Sequence, residues 1–166
     1  MLPFRGGALA RAIAQEVMAA AGHAAFVGSP ATGVPSGFAV VPDIYPGEGP
    51  PGDILTALED PAACWNLMVA CDMPNVTSAF LRKLLEAAEA WDVDALLPAG
   101  LSYQLEPLCA VYQRLVRQAL YTAFSGGQRK ILSALEGLPV AVLLVAELAP
   151  LQNVNTPAEW AAYGRG

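Results

Sequence analysis

Apolar and polar positions along the chain alternate between two spacings. In ALARAIAQEVMAAA (8–21), Leu9, Ile13 and Val17 recur on one helical face, and Gly22 stops the pattern. That predicts an amphipathic helix. AAFVG (24–28) and FAVVP (38–42) predict short strands. DIYPGEGPPGD (43–53), with four Gly and three Pro in eleven residues, predicts irregular chain. A short helix is expected over 54–60, and a strand over NLMVAC (66–71). Thr77 is expected to cap the helix SAFLRKLLEAAEA (78–90). Strands are expected over 94–100, 105–112 and 139–147, with helices over 114–124 and 129–137 between the last two. A short C-terminal helix should follow the turn at Thr156 and Pro157. The strands are apolar throughout rather than alternating, so both of their faces should be covered. The chain therefore predicts an α/β protein: a three-layer α/β/α sandwich on a mostly parallel, Rossmann-like sheet. Neither repeat nor linker interrupts it, so residues 1–166 are expected to form a single domain.

Composition sharpens this picture mainly by exclusion. The 166 residues are 55% hydrophobic and 14% charged, enough apolar surface to offset chain entropy and argue against disorder. A net charge of −6 argues against nucleic-acid binding but leaves room for a small nucleotide. No apolar run reaches membrane-span length, and the N-terminus lacks a signal-peptide core, so a cytoplasmic protein is expected. Cys64, Cys71 and Cys109 form no CxxC pair and are expected to be reduced, small buried residues. His23 is the only histidine, which removes HExxH zinc chemistry. It is expected at a helix end or on the surface. Carboxylates, backbone and a few arginines remain, an inventory that suits Mg²⁺-assisted chemistry.

Four stretches carry candidate chemistry. Asp72 ends the apolar run 66–71, and Pro74 keeps a helix from starting at once. In open α/β sheets ligands bind beyond the carboxyl ends of strands, so metal binding or catalysis is preferred for Asp72 over helix capping. GEGPPGD (47–53) reads either as an anion-binding loop at a helix start or as a plain loop. In NVNTP (153–157), Asn155 reads as a helix cap or as a neutral Mg²⁺ ligand, and Asp72 at a neighbouring strand end strengthens the second reading. Arg129 and Lys130 open a helix, where cations oppose the dipole; they read as a solvated surface pair or as a phosphate site.

Taken in order, LPFRGG, VPDIYPGEGPPGDILTAL, VACDMPNVTSAFLRKLL, EPLCAVY, GGQRKI and NVNTPAEW resemble the molybdenum cofactor guanylyltransferases, a family of the nucleotidyltransferase fold. The resemblance covers nearly all of residues 2–163. It implies transfer of GMP from GTP to molybdopterin with release of pyrophosphate, aided by Mg²⁺. It implies catalytic and metal roles for Asp72 and Asn155. Gly49, Pro50 and Gly52 resemble the nucleotide loop, with Asp43 or Glu48 reading the guanine. Glu106, Pro107, Arg129, Lys130 and Asn153 fall in segments expected near molybdopterin. Other cofactor-biosynthesis proteins, or the molybdoenzyme that receives the product, are implied as transient partners. NVNTP favours guanine over cytosine, since related cytidylyltransferases carry a more Asp-rich version.

The family's opening strand and glycine-rich phosphate loop have no counterpart here, and the only lysines are Lys83 and Lys130. In the family that strand lies between those matched by AAFVG and NLMVAC, so a gap between these two strands is expected. A single oxyanion donor is worth roughly 3 kcal/mol in a transition state, so the chain as numbered is expected to have little or no activity. A start upstream of Met1, a truncated remnant, or a rearranged sheet would each account for the difference. Asp53 stands where the family often has glycine. The rival expectations are a cytidylyl- or sugar-1-phosphate nucleotidyltransferase, and a non-catalytic molybdopterin-binding protein.

Overall fold

The computed structural model describes residues 5–29, 34–154, 156 and 159. The elements run α1 (Arg5–Ala21), β1 (Ala25–Gly28), β2 (Ala39–Pro42), α2 (Pro50–Ala57), β3 (Trp65–Val69) and α3 (Ser78–Ala90). They continue with β4 (Ala95–Ala99), β5 (Cys109–Gln113), α4 (Val116–Ser125), α5 (Ile131–Ala134) and β6 (Val140–Leu144), followed by a 3-10 turn at Ala149–Leu151. No helix among the described residues is long and apolar enough to cross a membrane.

The architecture is mixed α/β. β3, β5, β4 and β6 form one sheet in that order. β5 runs antiparallel to β3 and β4, and β6 is parallel to β4, so three of the four strands share a direction. Side chains alternate faces along each strand and feed two cores. Ala95, Leu97, Ala110 and Tyr112 pack with Ile54, Leu55 and Leu58 of the α2 region and with Val116 and Leu120 of α4. Leu96, Cys109 and Val111 pack with Ile13 of α1 and with Leu81, Leu84 and Ala88 of α3. Residues 95–97 are fully buried, which is why β4 is apolar without a break. A fully buried Leu such as Leu96 contributes roughly 1.5–3 kcal/mol of burial. Thr77 caps α3 by accepting from the Phe80 N–H at 3.3 Å, as its position predicts. Glu16 of α1 accepts from the Ser78 N–H, so α1 satisfies a second donor of the same helix end.

β1 and β2 form a separate parallel pair. Among the described residues β1 pairs only with β2, and β3 pairs only with β5. The expected gap between these two strands is present. A slot of about 1120 Å³ lies between them, with the α1 residues Leu9, Ile13 and Val17 and the α2 residues Ile54 and Ala57 in its lining.

Several expectations need correction. Helix α2 spans 50–57 rather than 54–60, because Pro50 and Pro51 suit a first turn whose N–H groups would be unpaired in any case. Residues 50–53 are therefore helical and not irregular. The strand expected at 105–112 is β5 at 109–113, with residue 105 only bridged to Ala99. Its earlier part is turned by Glu106, whose carboxylate accepts from the Leu108 N–H at 3.2 Å. The helix expected over 129–137 is cut to 131–134, and Lys130 stands at its cap with extended backbone. Of the cysteines only Cys109 is buried; Cys64 and Cys71 are exposed. His23 follows Gly22, which ends α1 with φ +75°, as expected of a helix end. The C-terminal helix expected after Thr156 and Pro157 lies, Thr156 and Glu159 apart, outside the described residues. Those two are joined reciprocally, the Thr156 N–H donating to Glu159 at 2.9 Å and the Glu159 N–H to Thr156 Oγ1 at 3.2 Å.

Candidate functional site

Asp72 sits three residues past the end of β3, held from both sides. Met73 beside it is fully buried, and the Asp72 carbonyl accepts from the Val154 N–H at 2.8 Å. That bond ties the segment after β3 to the one that carries Asn153. Two side-chain oxygens on this knot, Asp72 Oδ1 and Asn153 Oδ1, are buried without a hydrogen-bond partner among the described residues. An unpaired buried acceptor ordinarily costs about 1–3 kcal/mol. Two of them on adjoining segments point to a donor or a cation supplied from outside.

The electrostatics agree. Desolvation raises the Asp72 carboxyl above the usual carboxylate range, opposed by a hydrogen bond from its own backbone. Glu106 is raised first by desolvation, against the Leu108 N–H bond that lowers it, and then further by the charge of Asp72. Asp53 is raised by desolvation and by Asp43. The Cys71 thiol is raised by desolvation, then by Asp72 and Asp53. The charge of Asp72 thus reaches Glu106 in the turn before β5, and Asp72 and Asp53 both act on Cys71. Perturbation of this kind concentrates at functional sites.

A cation fits here in one specific way. Among the described residues no three His, Cys, Asp or Glu side chains are grouped to hold a metal. A protein-only cage is therefore not built. Mg²⁺ characteristically takes one or two protein oxygens and fills the rest of its octahedron with water and substrate phosphate. Asp72 Oδ1 and Asn153 Oδ1 match that demand. Asn155 lies outside the described residues.

The loop 43–53 is shaped by packing. Asp43 accepts from the Tyr45 N–H at 2.9 Å and from Thr56 Oγ1 at 3.3 Å, and Thr56 Oγ1 in turn accepts from the Ile44 N–H at 3.2 Å. This knot fastens the loop to the buried Thr56 of α2. Gly49 leads into α2 at φ +72°, a left-handed conformation that favours glycine. At Gly52 a Cβ would lie 3.0 Å from Tyr45 Cβ and 3.2 Å from its carbonyl oxygen, so the loop closes on the helix only over a hydrogen. Gly49 and Pro50 are exposed.

Glu48 and Arg129, expected at different substrates, meet each other. Arg129 Nε and Nη2 both donate to Glu48 Oε2, at 3.0 and 2.7 Å. Its Nη1 donates to the Phe124 carbonyl at 2.8 Å, and the guanidinium lies 4.1 Å from the Phe124 ring centre. Phe124 in turn meets Tyr45 edge-on at 5.1 Å. The expected anion site thus holds an internal latch between the loop and the segment joining α4 to α5. Lys130 stays exposed, its N–H donating to the Gln128 side chain at 2.9 Å. Pro107 accepts the Tyr112 hydroxyl through its carbonyl at 2.8 Å, which positions Glu106 next to it.

The structure brings Asp72, Asn153 and Glu106 together, and sets the Glu48–Arg129 latch apart as an ion pair satisfied within the chain. Sequence reasoning noted Asp53 only as a departure from the family's glycine, and it missed Asn66 of the apolar run as a residue of the slot lining.

Residues 1–140 match the MobA-like NTP transferase domain. A probable molybdenum cofactor guanylyltransferase of Pelotomaculum thermopropionicum is 32% identical over 134 residues, covering 76% of this chain and 64% of that protein. The crystal structure of molybdopterin-guanine dinucleotide biosynthesis protein A from Archaeoglobus fulgidus superposes with a TM-score of 0.67 at 31% identity, over 75% of this chain and 66% of that one. A 2-C-methyl-D-erythritol 4-phosphate cytidylyltransferase from Thermus thermophilus shares the fold, with a TM-score of 0.71 at 19% identity over 95% of this chain and 89% of its own. The chain spans just under two thirds of the length of the curated relatives it matches.

Proposed function

The chain belongs to the MobA-like NTP transferase domain family, and from that premise we propose that it serves guanylyl transfer from GTP to molybdopterin. In this reaction a terminal phosphate oxygen of molybdopterin forms a bond to the α-phosphorus of GTP. The bond to the β-phosphate breaks, and pyrophosphate leaves. The observation that carries the reading is the pair of buried, donorless oxygens Asp72 Oδ1 and Asn153 Oδ1. These two residues, with Asn155, are the proposed Mg²⁺ ligands. Bound Mg²⁺ would neutralise phosphate charge and hold the reacting oxygens in line.

The chain's own residues supply the rest by placement. Asp72 and Asn153 present fixed oxygens because their backbones are tied together, so little ordering cost falls on binding. Asp43, Glu48, Gly49, Pro50 and Gly52 form the proposed nucleotide loop, with a carboxylate available to accept from a guanine N–H. Glu106 and Pro107, with Lys130, are the proposed molybdopterin side, while Arg129 is held on Glu48 within the chain. Pterins and guanine both present amide-like edges that a carboxylate recognises by paired hydrogen bonds, which makes Glu106 a suitable contact.

The test is direct. Purified chain is titrated with GTP or CTP with and without Mg²⁺, following thermal stability, and then assayed with molybdopterin for pyrophosphate release. The expected outcome is stabilisation by GTP that requires Mg²⁺ and vanishes in Asp72→Asn. Preference for CTP would move the reading to cytidylyl transfer, to which the fold shared with the Thermus enzyme lends some support. Nucleotide stabilisation that survives Asp72→Asn unchanged would remove Asp72 from the site.

A further inference from the structure

We propose that Tyr103 is a specificity-determining residue that stacks its ring on the planar pyrimidinone part of molybdopterin. The inference rests on the reading of Glu106 and Pro107 as the molybdopterin side, and it adds a residue that this reading leaves out. Its first support is the backbone. Tyr103 has φ +58°, the left-handed region that side chains rarely adopt. Among the described non-glycine residues only Asp92 shares it, at φ +49°. A short polar side chain such as Asp can bond locally to ease that conformation, and a Tyr ring cannot.

No packing offsets the strain. Tyr103 is 69% exposed, and Leu101 on the same turn is 70% exposed. The ring pairs among the described residues, Phe26 with Phe38 and Tyr45 with Phe124, leave Tyr103 out. Strained positions of this kind cluster at ligand sites, where the bound molecule supplies the missing contact.

The second support is placement. The turn between β4 and β5 is fixed at its base. The Tyr103 N–H donates to the Gly100 carbonyl at 2.9 Å, Ala99 bridges Leu105, and the Glu106 N–H donates to the Pro98 carbonyl at 3.0 Å. Leu148 closes over Gly100, where a Cβ would lie 2.1 Å from Leu148 Cδ2. The backbone that presents the ring is therefore ordered before a ligand arrives, which lowers the cost of binding.

The third support is the neighbour. Glu106 follows three residues later, so the two Cα atoms lie within about 11 Å of each other. A carboxylate reads the amide-like edge of a flat heterocycle, and an aromatic ring covers its face. Guanine has a similar edge, but the loop proposed for it leads into α2, whereas this turn belongs to β4 and β5.

The experiment uses the whole chain and unsubstituted pterin, whose fluorescence is quenched when an electron-rich ring stacks on it. Saturable quenching is expected. Tyr103→Phe should keep it, and Tyr103→Ala should weaken binding about tenfold or more. Tyr103→Gly should weaken it as much, yet unfold at the same or a higher temperature, because glycine relieves the left-handed backbone. Mg²⁺-dependent stabilisation by GTP should be unchanged in all three variants. Four results would overturn the proposal. One is no saturable quenching up to the solubility of pterin. Another is equal binding by Tyr103→Ala. A third is a lowered unfolding temperature in Tyr103→Gly, which means that the ring packs within the chain. The last is loss of GTP stabilisation in Tyr103→Ala, which makes guanine the ring that Tyr103 meets. Pterin binding that depends on Tyr103, without any stabilisation by GTP, would leave this inference standing and remove guanylyl transfer.

Discussion

Two acidic regions of this molecule carry similar side chains and opposite states. At the latch, the Glu48 carboxylate receives two guanidinium bonds from Arg129, and the guanidinium is further held by the Phe124 carbonyl and ring. At the strand end, Asp72 and Asn153 each bury an oxygen that receives none. Both regions lie next to irregular chain with a carboxylate near a helix start. The difference is in how the fold closes around them. The segment after α4 delivers a cation to Glu48, whereas Asp72 is desolvated and its own charge raises the Glu106 carboxyl and the Cys71 thiol. A satisfied carboxylate is doing its work within the fold. An unsatisfied and desolvated one marks where a ligand would be stabilised.

The sharpest way to break this contrast is Asp72→Asn. Its expected effect is loss of Mg²⁺-dependent GTP binding on the order of a hundredfold or more, with no loss of stability in metal-free buffer. Denaturation midpoints and nucleotide titrations on the same samples check both halves. A stability loss equal to the binding loss would put Asp72 in the same structural class as Glu48.

Next in size is Gly52→Ala on the latch side. The new Cβ meets Tyr45 backbone and side chain at 3.0–3.2 Å, so the loop must lift from α2 at a cost of about 1–3 kcal/mol. Urea unfolding measures it. Because Tyr45 also supports Phe124, the Glu48–Arg129 coupling should fall in the same variant.

The pH dependence separates the regions without mutation. Asp72, Glu106 and Asp53 have carboxyls raised above their unfolded values by desolvation. The folded state therefore binds protons more readily. The stability they contribute is present below the unfolded pKa and is lost as pH rises through the raised one. Metal-free protein should lose stability as pH climbs through and just above the usual carboxylate range. Added Mg²⁺ should flatten or reverse that slope, since it favours the charged form. Thermal unfolding across this range, with and without Mg²⁺, is the measurement. A slope that Mg²⁺ leaves unchanged would count against the cation reading.

The smallest effect belongs to Glu48→Gln. Both partners of the pair are over two fifths exposed, so the loss should be about 0.5 kcal/mol and shrink with salt. A double-mutant cycle with Arg129→Met isolates the coupling. Unaltered GTP stabilisation in Glu48→Gln would remove Glu48 from guanine recognition and leave Asp43.

Much of the fold was legible because local rules and tertiary demands coincide. Thr77 before an apolar-periodic run caps α3 as predicted, and the uninterrupted apolar stretch at 95–97 is buried on both faces. Where they diverged, a neighbour decided. Pro50 and Pro51 look like loop but begin α2, because a first turn needs no N–H there. Leu105 and Glu106 look like strand, yet the Glu106 side chain turns the backbone by capturing the Leu108 N–H. The candidate site was legible at Asp72, since a carboxylate ending an apolar run is unusual. It was not legible at Arg129, whose partner Glu48 stands 81 positions away in the chain.

By itself, the sequence determined the element order, the apolar strands, and the position of Asp72 where β3 has ended. These follow from local spacing and composition, which need no partner to be read. Only the tertiary structure decided which charges are satisfied. It set Arg129 on Glu48, left Asp72 Oδ1 and Asn153 Oδ1 without donors among the described residues, and held β1 apart from β3 across a slot. Hydrogen bonding and desolvation depend on what lies within a few ångströms, and sequence separation says nothing of that distance.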